Sequence, residues 1–469
     1  MVFSSHIFLF YFLPLALLVY YASPRVLKHM SLTLMSYIFY GWWNPWLIFL
    51  IFGSTVIDYL CGRAITKGGA TEKQRKTGLI ISIVANLSIL AFFKYAGFFA
   101  GTVSSAAGDA SMFPAWLYAI PLPVGISFYT FQSMSYSIDL YRGHARPCRS
   151  FIDFMCYVSM FPQLVAGPIV RYGSVAEQLH SRVHTIEGFV HGFTRFNFGF
   201  AKKILLANPM GQIADACFGA GEGALGPFTA WFGVAAYAFQ IYFDFSAYSD
   251  MALGLGRMFG FRFPENFNAP YRSRSITEFW RRWHISLSSF LRDYLYIPLG
   301  GNRISPSRTY ANLLIVMLIG GLWHGAQWTF VVWGAIHGLM LALERWQGKD
   351  SPYRRLPNPI RVAITFGVIL ITWVFFRAEN FEVAGRYLAA MFGIGSFEPT
   401  ADLLRAYVFR PGNLILFLGC CGVTWGLPRT REILDNLTTW KIILGLVLLV
   451  FAVNMMWTQG FNPFLYFQF

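Results

Sequence analysis

The sequence predicts an all-α protein that crosses a membrane many times, and three observations support this. Of 469 residues, 56% are apolar, 19% are aromatic and only 13% are charged. A soluble protein carries about 25% charged residues, so this chain lacks the polar surface that water requires. Long apolar runs recur along the chain, and several approach the ~20 residues of a spanning helix. Counting the shorter runs as well, we expect about 11 spans, some of them incomplete.

Seven apolar runs are the clearest candidates for spanning helices. They are residues 7–21, 46–60, 79–99, 230–243, 311–322, 362–376 and 442–453. No positive residue precedes the first run and no small-residue cleavage site follows it, so we expect a retained helix rather than a signal peptide. Since no soluble domain, low-complexity linker or repeat is apparent, we predict one membrane-embedded domain over residues 1–469.

The net charge of +15 indicates membrane topology rather than nucleic-acid binding. In membrane proteins, excess Lys and Arg mark cytoplasmic loops and contacts with anionic lipids. Five cations lie in the loop 63–76, Arg25 and Lys28 follow the first run, and the loop 101–115 has no Lys or Arg. With a shorter span between residues 31 and 43, this pattern places the N-terminus outside, 63–76 in the cytoplasm and 101–115 outside.

The cysteines and the common catalytic motifs indicate neither a metal site nor a disulfide framework. The six cysteines form no CxxC pair and no Cys/His ligand spacing. The chain also has no HExxH metal motif and no GxSxG nucleophile motif. We therefore expect free, mostly buried thiols and no bound metal.

The segment 257–308 differs from the rest because it is basic and amphipathic. It has nine arginines against Glu265, Glu278 and Asp293, with aromatic and aliphatic residues interleaved at spacings of three and four. This spacing predicts an amphipathic helix at the membrane interface. Its arginines are either ordinary snorkelling surface residues or a basic rim for an anionic acyl donor, because Arg matches phosphate oxygens bidentately.

Two apolar segments are interrupted by proline and glycine. Residues 121–125 read Pro-Leu-Pro-Val-Gly, and Phe161-Pro162 and Gly167-Pro168 bracket a second segment. Non-helical backbone at membrane depth is tolerated where protein or a water-filled cavity satisfies it. These breaks favour re-entrant pieces around a cavity, although kinked packing helices explain them equally well.

Three histidines in apolar surroundings are the candidates for chemistry. His324 lies in Gly-Gly-Leu-Trp-His-Gly, where burial favours the neutral imidazole and hence a base; the alternative is a hydrogen-bonded core histidine. His337 lies 13 residues further on, and on a shared helix the two would be ~20 Å apart, so we interpret His337 as structural. His284 lies in the basic segment, and a catalytic role depends on the fold bringing it near His324.

The run Tyr242-Phe-Asp-Phe-Ser-Ala-Tyr-Ser-Asp250 places two carboxylates in an apolar region. Tyr242, Ser246, Ser249 and Asp250 share one helical face. They form either a polar strip lining a tunnel or hydrogen bonds between helices, and we favour the second interpretation slightly.

Eight ordered stretches together resemble the membrane-bound O-acyltransferase family, and within it the bacterial branch concerned with alginate, cellulose and teichoic-acid modification. These stretches are residues 124–131, 161–168, 242–250, 265–271, 275–288, 291–296, 300–303 and 320–325. The resemblance runs from residue 1 to beyond residue 345, and the C-terminal part matches only in hydropathy. It implies the fold of that family, with spanning, re-entrant and interfacial helices around a central tunnel.

The resemblance also implies a function and roles for particular residues. The histidine of the family's Trp-His-Gly stretch is catalytic, which corresponds to His324, and a second important polar position corresponds to His284. The donor is expected to be acetyl-CoA, used as a substrate rather than a permanent cofactor, with Arg281, Arg282 and Arg292 holding its phosphates. The product would be an O-acetylated exported polysaccharide such as alginate or cellulose.

The implied setting is the bacterial inner membrane, with multiple passes through it. The expected partners are membrane lipids, the polysaccharide synthesis and export machinery, and a periplasmic protein of the SGNH-esterase type; nucleic acid is not expected. A transporter that flips an acyl donor or glycan without chemistry is the main alternative, and it predicts pseudo-symmetric halves and ion-coupling carboxylates. A non-catalytic scaffold for a polysaccharide synthase is the third possible function.

Overall fold

The computed structural model describes residues 1–463 except 110, 166, 349, 396–399 and 461. Ala110 of the loop 101–115 and Ala166 of the interrupted segment 161–168 therefore lie outside the described residues. The part of the chain that the structure describes is helical and contains no β-strand. The predicted all-α class is confirmed to that extent.

The chain folds into two compact units, Met1–Phe196 with Tyr248–Pro264, and Asn197–Ala247 with Glu265–Phe469. We call them unit 1 and unit 2. The single domain expected over residues 1–469 stays a prediction.

Unit 1 is built from ten helices, the last of which also contributes residues to unit 2. They are α1 Leu13–Ala22, α2 Lys28–Gly41, α3 Leu47–Thr66, α4 Glu72–Leu90, α5 Ala96–Ala107, α6 Ile126–Tyr141, α7 Phe151–Ser159, α8 Phe161–Leu164, α9 Tyr172–His180 and α10 Ile186–Ala201. Short π or 3-10 turns lie at Phe8–Phe12, Arg25–Leu27, Ala91–Tyr95 and Ala115–Leu117.

Unit 2 contains the remaining helices, although the last turns of the long α12 belong to unit 1. They are α11 Asn208–Phe218, α12 Pro227–Met258, α13 Ile276–Arg282, α14 Ile285–Leu291, α15 Pro306–His324, α16 Trp328–Trp346, α17 Asn358–Arg377, α18 Phe381–Met391, α19 Thr400–Val408, α20 Pro411–Cys421, α21 Thr430–Leu434 and α22 Thr439–Thr458. Turns lie at Lys202–Ala207, Pro270–Arg272, Arg292–Tyr296 and Gly422–Gly426.

Four helical stretches of the described chain are long and apolar enough to cross a membrane. They are Leu47–Thr66, Glu72–Ala107, Asn358–Arg377 and Thr439–Thr458. The bent pair Ala401–Val408 and Pro411–Gly426, with 57° between its halves, adds a fifth if it forms one broken span. The chain is therefore a multi-pass membrane protein, but the expected count of about 11 spans is not confirmed.

The two interrupted segments of unit 1 break the helices where the sequence predicts breaks, and they meet each other. Gly125 begins α6 in the left-handed region at φ 76°, and a Cβ atom there would lie 2.6 Å from the Leu164 carbonyl oxygen. Only glycine combines that φ with so close an approach. Their re-entrant character stays a prediction.

Helices α15 and α16 pack closely because glycines line their contact. A Cβ atom on Gly321 would overlap the Phe330 carbonyl, and one on Gly334 would overlap the Met317 carbonyl. Gly338, one turn after Gly334, faces the Leu314 backbone. Small residues at such spacings let membrane helices approach closely. This contact holds the C-terminal end of α15, and so His324, against α16.

The amphipathic helix predicted within 257–308 is not continuous, and its position at the membrane interface stays a prediction. The segment contains two seven-residue helices, α13 and α14, separated at Trp283 and His284, and His284 has φ 43°. A left-handed residue ends a right-handed helix. The apolar face is also buried within unit 2: Phe279 is 0% and Trp283 2% exposed. The apolar residues therefore keep their spacing of three and four across the break, so the sequence pattern does not reveal it.

Candidate active site

His324 ends α15 and is buried among aromatic rings. It is 3% exposed, and its ring centroid lies 5.1 Å from that of Trp323, 5.4 Å from Trp333 and 5.2 Å from Phe376. Gly325 leaves the helix in an extended conformation while its N–H still donates to the Gly321 carbonyl at 3.3 Å. The histidine therefore stands at a helix end, where its ring is held by packing.

His284 comes to the same place from the break between α13 and α14. It is 0% exposed, Phe245 presents its ring at 4.6 Å between centroids, and Trp323 lies at 5.7 Å. The two histidine rings are 6.2 Å apart between centroids. The fold thus brings His284 near His324, the condition on which its candidacy depended.

Asn266 fixes the orientation and the tautomer of His284. The Asn266 side-chain oxygen accepts from the Ser286 backbone N–H at 3.2 Å and from the Ser286 hydroxyl at 2.9 Å. The same oxygen lies 3.2 Å from His284 Nδ1. Since a backbone N–H can only donate, the Asn266 atom is the amide oxygen, and Nδ1 must carry the hydrogen. His284 Nε2 is then the unprotonated nitrogen.

Burial keeps His284 neutral. The residue belongs to neither of its flanking short helices and to none of the spanning stretches. Complete burial lowers its pKa well below the ordinary 6.5, and the neighbouring His324 lowers it further. A neutral imidazole with one unprotonated nitrogen can accept a proton from a substrate hydroxyl.

His337 lies on a different helix from His324, and its structural role stays a prediction. The break at 325–327 puts it on α16, whereas the spacing estimate assumed one helix for both histidines. Trp280 Nε1–H donates to His337 Nδ1 at 3.2 Å, so Nε2 carries the hydrogen and donates to Thr372 at 3.2 Å. Trp333 contacts both His337, at 4.8 Å, and His324. Both ring nitrogens of His337 are thus engaged in hydrogen bonds.

The three arginines expected to hold the donor differ in their surroundings. Arg282 forms an ion pair with Glu278 at 2.6 Å, and Arg292 forms one with Asp293 at 2.6 Å. Arg281 is exposed and forms no ion pair within the described residues. Of the three, Arg281 is therefore the cation whose charge is most available to an anion.

The two carboxylates of 242–250 form buried ion pairs, each inside its own unit. Asp244 pairs with Lys203 at 2.6 Å, with 2% and 3% of the side chains exposed. Asp250 accepts from Arg195 Nε at 2.9 Å and from its Nη2 at 2.7 Å. This arrangement agrees with the structural interpretation and gives the transporter alternative no support from these carboxylates.

Asn266 was missed as an individual residue by the sequence reasoning. It lies 18 residues before His284, and no helical or strand periodicity connects the two positions. The only signal was its place in the stretch 265–271 that resembles the family.

Comparisons with known proteins cover the region that holds both histidines. Residues 142–378 match the model of the membrane-bound O-acyltransferase family. The chain is 48% identical to the probable alginate O-acetylase of Pseudomonas aeruginosa, over 89% of this chain and 80% of the relative. It is 43% identical to the probable alginate O-acetylase of Pseudomonas putida over the whole of both chains. It is 37% identical to the peptidoglycan O-acetyltransferase of Helicobacter pylori, over 84% of this chain and 80% of that one.

Proposed function

Since this chain belongs to the membrane-bound O-acyltransferase family and is an acyltransferase, we propose that it moves an acetyl group across the bacterial inner membrane for O-acetylation of an exported polysaccharide. The observation that carries the proposal is the buried pair His284 and His324, whose rings are 6.2 Å apart in the matched region. An acyl transfer to a hydroxyl needs a neutral base in a site that excludes water; both histidines are buried, and burial keeps His284 neutral.

The acceptor proposed first is alginate or a closely related polysaccharide. Relatives described as probable alginate O-acetylases are 43–48% identical to this chain, whereas the peptidoglycan O-acetyltransferase is 37% identical. Cellulose remains the second candidate, on the resemblance of the sequence alone. The polymer would be modified outside the membrane, with a periplasmic partner of the SGNH type completing the transfer.

In the proposed reaction, His324 is the general base and acetyl-CoA the donor. A hydroxyl oxygen, of the polymer itself or of the partner that passes the acetyl group on to it, attacks the thioester carbonyl; the new C–O bond forms, the C–S bond breaks, and the hydroxyl proton moves to His324. The proton then leaves with the thiolate as free coenzyme A thiol. A well-placed base contributes roughly 10²–10⁴-fold, so positioning and exclusion of water must supply the rest of the rate.

His284 is proposed to orient the donor or to assist proton transfer through its unprotonated Nε2. Its Nδ1–H donates to Asn266, so the second nitrogen is the one that can accept a proton. Arg281 is proposed as the main contact for the donor phosphates, because Arg282 and Arg292 already pair with carboxylates.

The experiment that tests the proposal uses purified, lipid-reconstituted protein with acetyl-CoA labelled in the acetyl group and the periplasmic partner proteins of the cell. Transfer is compared for the native chain, His324→Ala and His284→Ala. We expect His324→Ala to abolish transfer and His284→Ala to reduce it by about 10²-fold or more, as for loss of a base or of its partner. The double variant should lose no more than His324→Ala, because the two residues act as a unit.

Two matched variants control for damage to the fold. His337→Ala removes another buried imidazole from the same aromatic surroundings, and His144→Ala removes an exposed one. Equal transfer by folded His324→Ala and the native chain would remove His324 from the mechanism. Label that accumulates across the bilayer without acetylated product would favour the transporter instead.

A further inference from the structure

A cluster of cations in unit 1 lies where three connections meet. Arg25 and Lys28 lie at the α1–α2 connection, and Arg182 and His184 belong to the α9–α10 connection. The third connection is the turn at Phe259 and Gly260 that follows α12. We call these four basic residues the basic cluster.

Tyr20 at the end of α1 ties the cluster together. Its hydroxyl accepts from Arg182 Nη2 at 2.8 Å and lies 2.8 Å from His184 Nε2. Lys28 Nζ lies over the Tyr20 ring at 4.4 Å from the centroid and donates to the Tyr20 carbonyl at 3.1 Å. Arg182, His184 and Lys28 are thus held around one aromatic side chain rather than scattered over a surface.

Arg182 is fixed in place by uncharged acceptors. Its Nε donates to the Phe259 carbonyl at 3.1 Å, and its Nη1 donates to His29 Nε2 at 2.6 Å. Because the guanidinium can only donate, His29 Nε2 is unprotonated and His29 Nδ1–H donates to Asp153. The guanidinium also stacks on Phe261 at 4.2 Å. A rigidly held guanidinium loses little conformational freedom when an anion binds.

The positive charge of the cluster is only partly neutralised. Within the described residues, Arg25, Lys28 and Arg182 form no ion pair, and Asp153 reaches the cluster only through the His29 ring. Burial lowers the pKa of His184, which lies outside the spanning helices, and Arg182, Lys28 and Arg25 lower it further. Burial and the neighbouring Arg182 and Arg25 likewise lower the pKa of Lys28. The cations therefore repel one another at close range, and an anion between them would relieve that repulsion.

Aliphatic side chains project from the same two connections. Val26 is 92% exposed and Val183 81% exposed, and Leu27 and Ile186 are also exposed. Val26 and Leu27 precede Lys28, and Val183 lies between Arg182 and His184. Exposed aliphatic residues beside cations are the pattern of a surface at the boundary between headgroups and acyl chains. Charge distribution along the sequence puts the α1–α2 connection on the cytoplasmic side, where anionic lipids accumulate.

We propose that the basic cluster binds the phosphate-bearing headgroup of an anionic phospholipid, whose acyl chains lie against Val26, Leu27, Val183 and Ile186. Lys28 and Arg25 contact the phosphate, and Arg182 forms the positively charged floor beside the neutral His184 ring. A lipid in this place would hold the α1–α2 and α9–α10 connections together. The proposal is independent of the acyltransferase chemistry, because no residue of the cluster belongs to the His284–His324 site.

Native mass spectrometry of the full chain in detergent tests the site directly. The protein is titrated with phosphatidylglycerol or with phosphatidylcholine carrying identical acyl chains, and retained lipids are counted. The native chain should retain one phosphatidylglycerol more tightly than phosphatidylcholine. Arg25→Ala/Lys28→Ala should bind that lipid about 10- to 30-fold more weakly, since each cation near an anionic surface contributes roughly a fivefold factor. Arg182 is left intact because its hydrogen bonds also support the fold.

The control is Lys67→Ala/Lys76→Ala, which removes the same charge from exposed positions in the loop 63–76. It should leave the tight phosphatidylglycerol in place, and Lys28→Arg should retain binding. An equal loss of phosphatidylglycerol binding in both double variants would show that only the total charge matters, and it would overturn the proposal of a specific site. Displacement of the lipid by excess inorganic phosphate would assign the cluster to free phosphate and overturn the lipid assignment.

Discussion

At the scale of single residues, the catalytic candidate His284 has a backbone conformation that its side chain does not favour. His284 has φ 43°, in the left-handed region that non-glycine residues seldom occupy, at a cost of roughly 1–3 kcal/mol. Two hydrogen bonds oppose that cost: the Ile285 N–H donates to the Asn266 carbonyl at 2.9 Å, and the His284 ring meets the Asn266 side chain. Asn266 therefore holds both the backbone and the ring of His284.

Asn266→Ala should slow acetyl transfer by about 10- to 100-fold while leaving KM for the donor nearly unchanged. Without the side-chain oxygen, nothing favours the His284 tautomer that carries its hydrogen on Nδ1. The unprotonated nitrogen then points to the substrate in only part of the molecules. Asn266→Asp should retain more activity than Asn266→Ala because it keeps the acceptor.

The readout for Asn266 is kcat and KM together with thermal unfolding of each variant. Asn268→Ala is the matched control, since Asn268 lies in the same loop and its side chain accepts from Arg429 rather than from His284. A loss of activity that follows thermal stability equally in both variants would assign Asn266 a purely structural role.

The protonation of His284 sets a pH dependence with a definite sign. In the folded protein the pKa of His284 lies below the ordinary 6.5, so its imidazole stays neutral. In the unfolded chain the same imidazole takes up a proton as pH falls below about 6.5. Stability should therefore decrease as pH falls below that value, by up to about 1.4 kcal/mol per pH unit for one proton. Likewise, when kcat is measured from about pH 5 to about pH 8, its fall on the acid side should be centred at a lower pH than for an ordinary histidine. An acid limb centred at the ordinary value would contradict the assignment.

At the scale of elements, the site depends on the close contact of α15 and α16. His324 stands at the end of one helix and Trp333 on the other, and glycines at 321, 334 and 338 let the two backbones approach. A larger side chain at these positions moves the helices apart and displaces the imidazole from its aromatic neighbours. Displacements of this kind reduce catalysis even when the chain still folds.

Gly334→Ala should destabilise the protein by about 1–3 kcal/mol, as overpacking of a close interface does. Gly367→Ala is the matched control: it lies within α17, and a Cβ atom there meets nothing within 4 Å. The control should be neutral or stabilising by about 0.5–1 kcal/mol, because alanine favours helix over glycine. Thermal unfolding in the same detergent measures both, and equal effects would show that the α15–α16 contact is looser than described.

The elements differ in how far the sequence predicts them, and the reason is physical. The run 362–376 lies within α17 and the run 442–453 within α22, because uniform apolarity over that length is incompatible with any other structure in lipid. The break at His284 is hidden, because Phe279, Trp283 and Leu287 keep helical spacing on both sides of it. The meeting of His284 with His324 is a tertiary event across 40 positions, and local periodicity carries no information about it.

At the scale of the whole molecule, the charge distribution predicts which loops face the cytoplasm. The stretch Glu72–Ala107 is long enough to cross the bilayer once, which puts its two ends on opposite sides. The cation-rich loop before it is expected inside and the loop after it outside.

Single cysteines at positions 67 and 112 test this topology in intact cells. A membrane-impermeant maleimide should label Met112→Cys and spare Lys67→Cys until the membrane is permeabilised. The native chain is the blank, because among its free cysteines only Cys421 is even partly exposed. Labelling of Lys67→Cys in sealed cells would reverse the predicted orientation.

The aromatic surroundings of the histidines have an optical consequence. The indoles of Trp280 and Trp333 lie 5.6 Å apart, those of Trp333 and Trp373 5.9 Å, and those of Trp373 and Trp283 5.2 Å. Excitation absorbed by one indole is shared among all four at such separations. The His324 ring lies 5.4 Å from Trp333. A ligand that enters beside His324 would change the surroundings of this indole group, and the fluorescence of the protein should change with it.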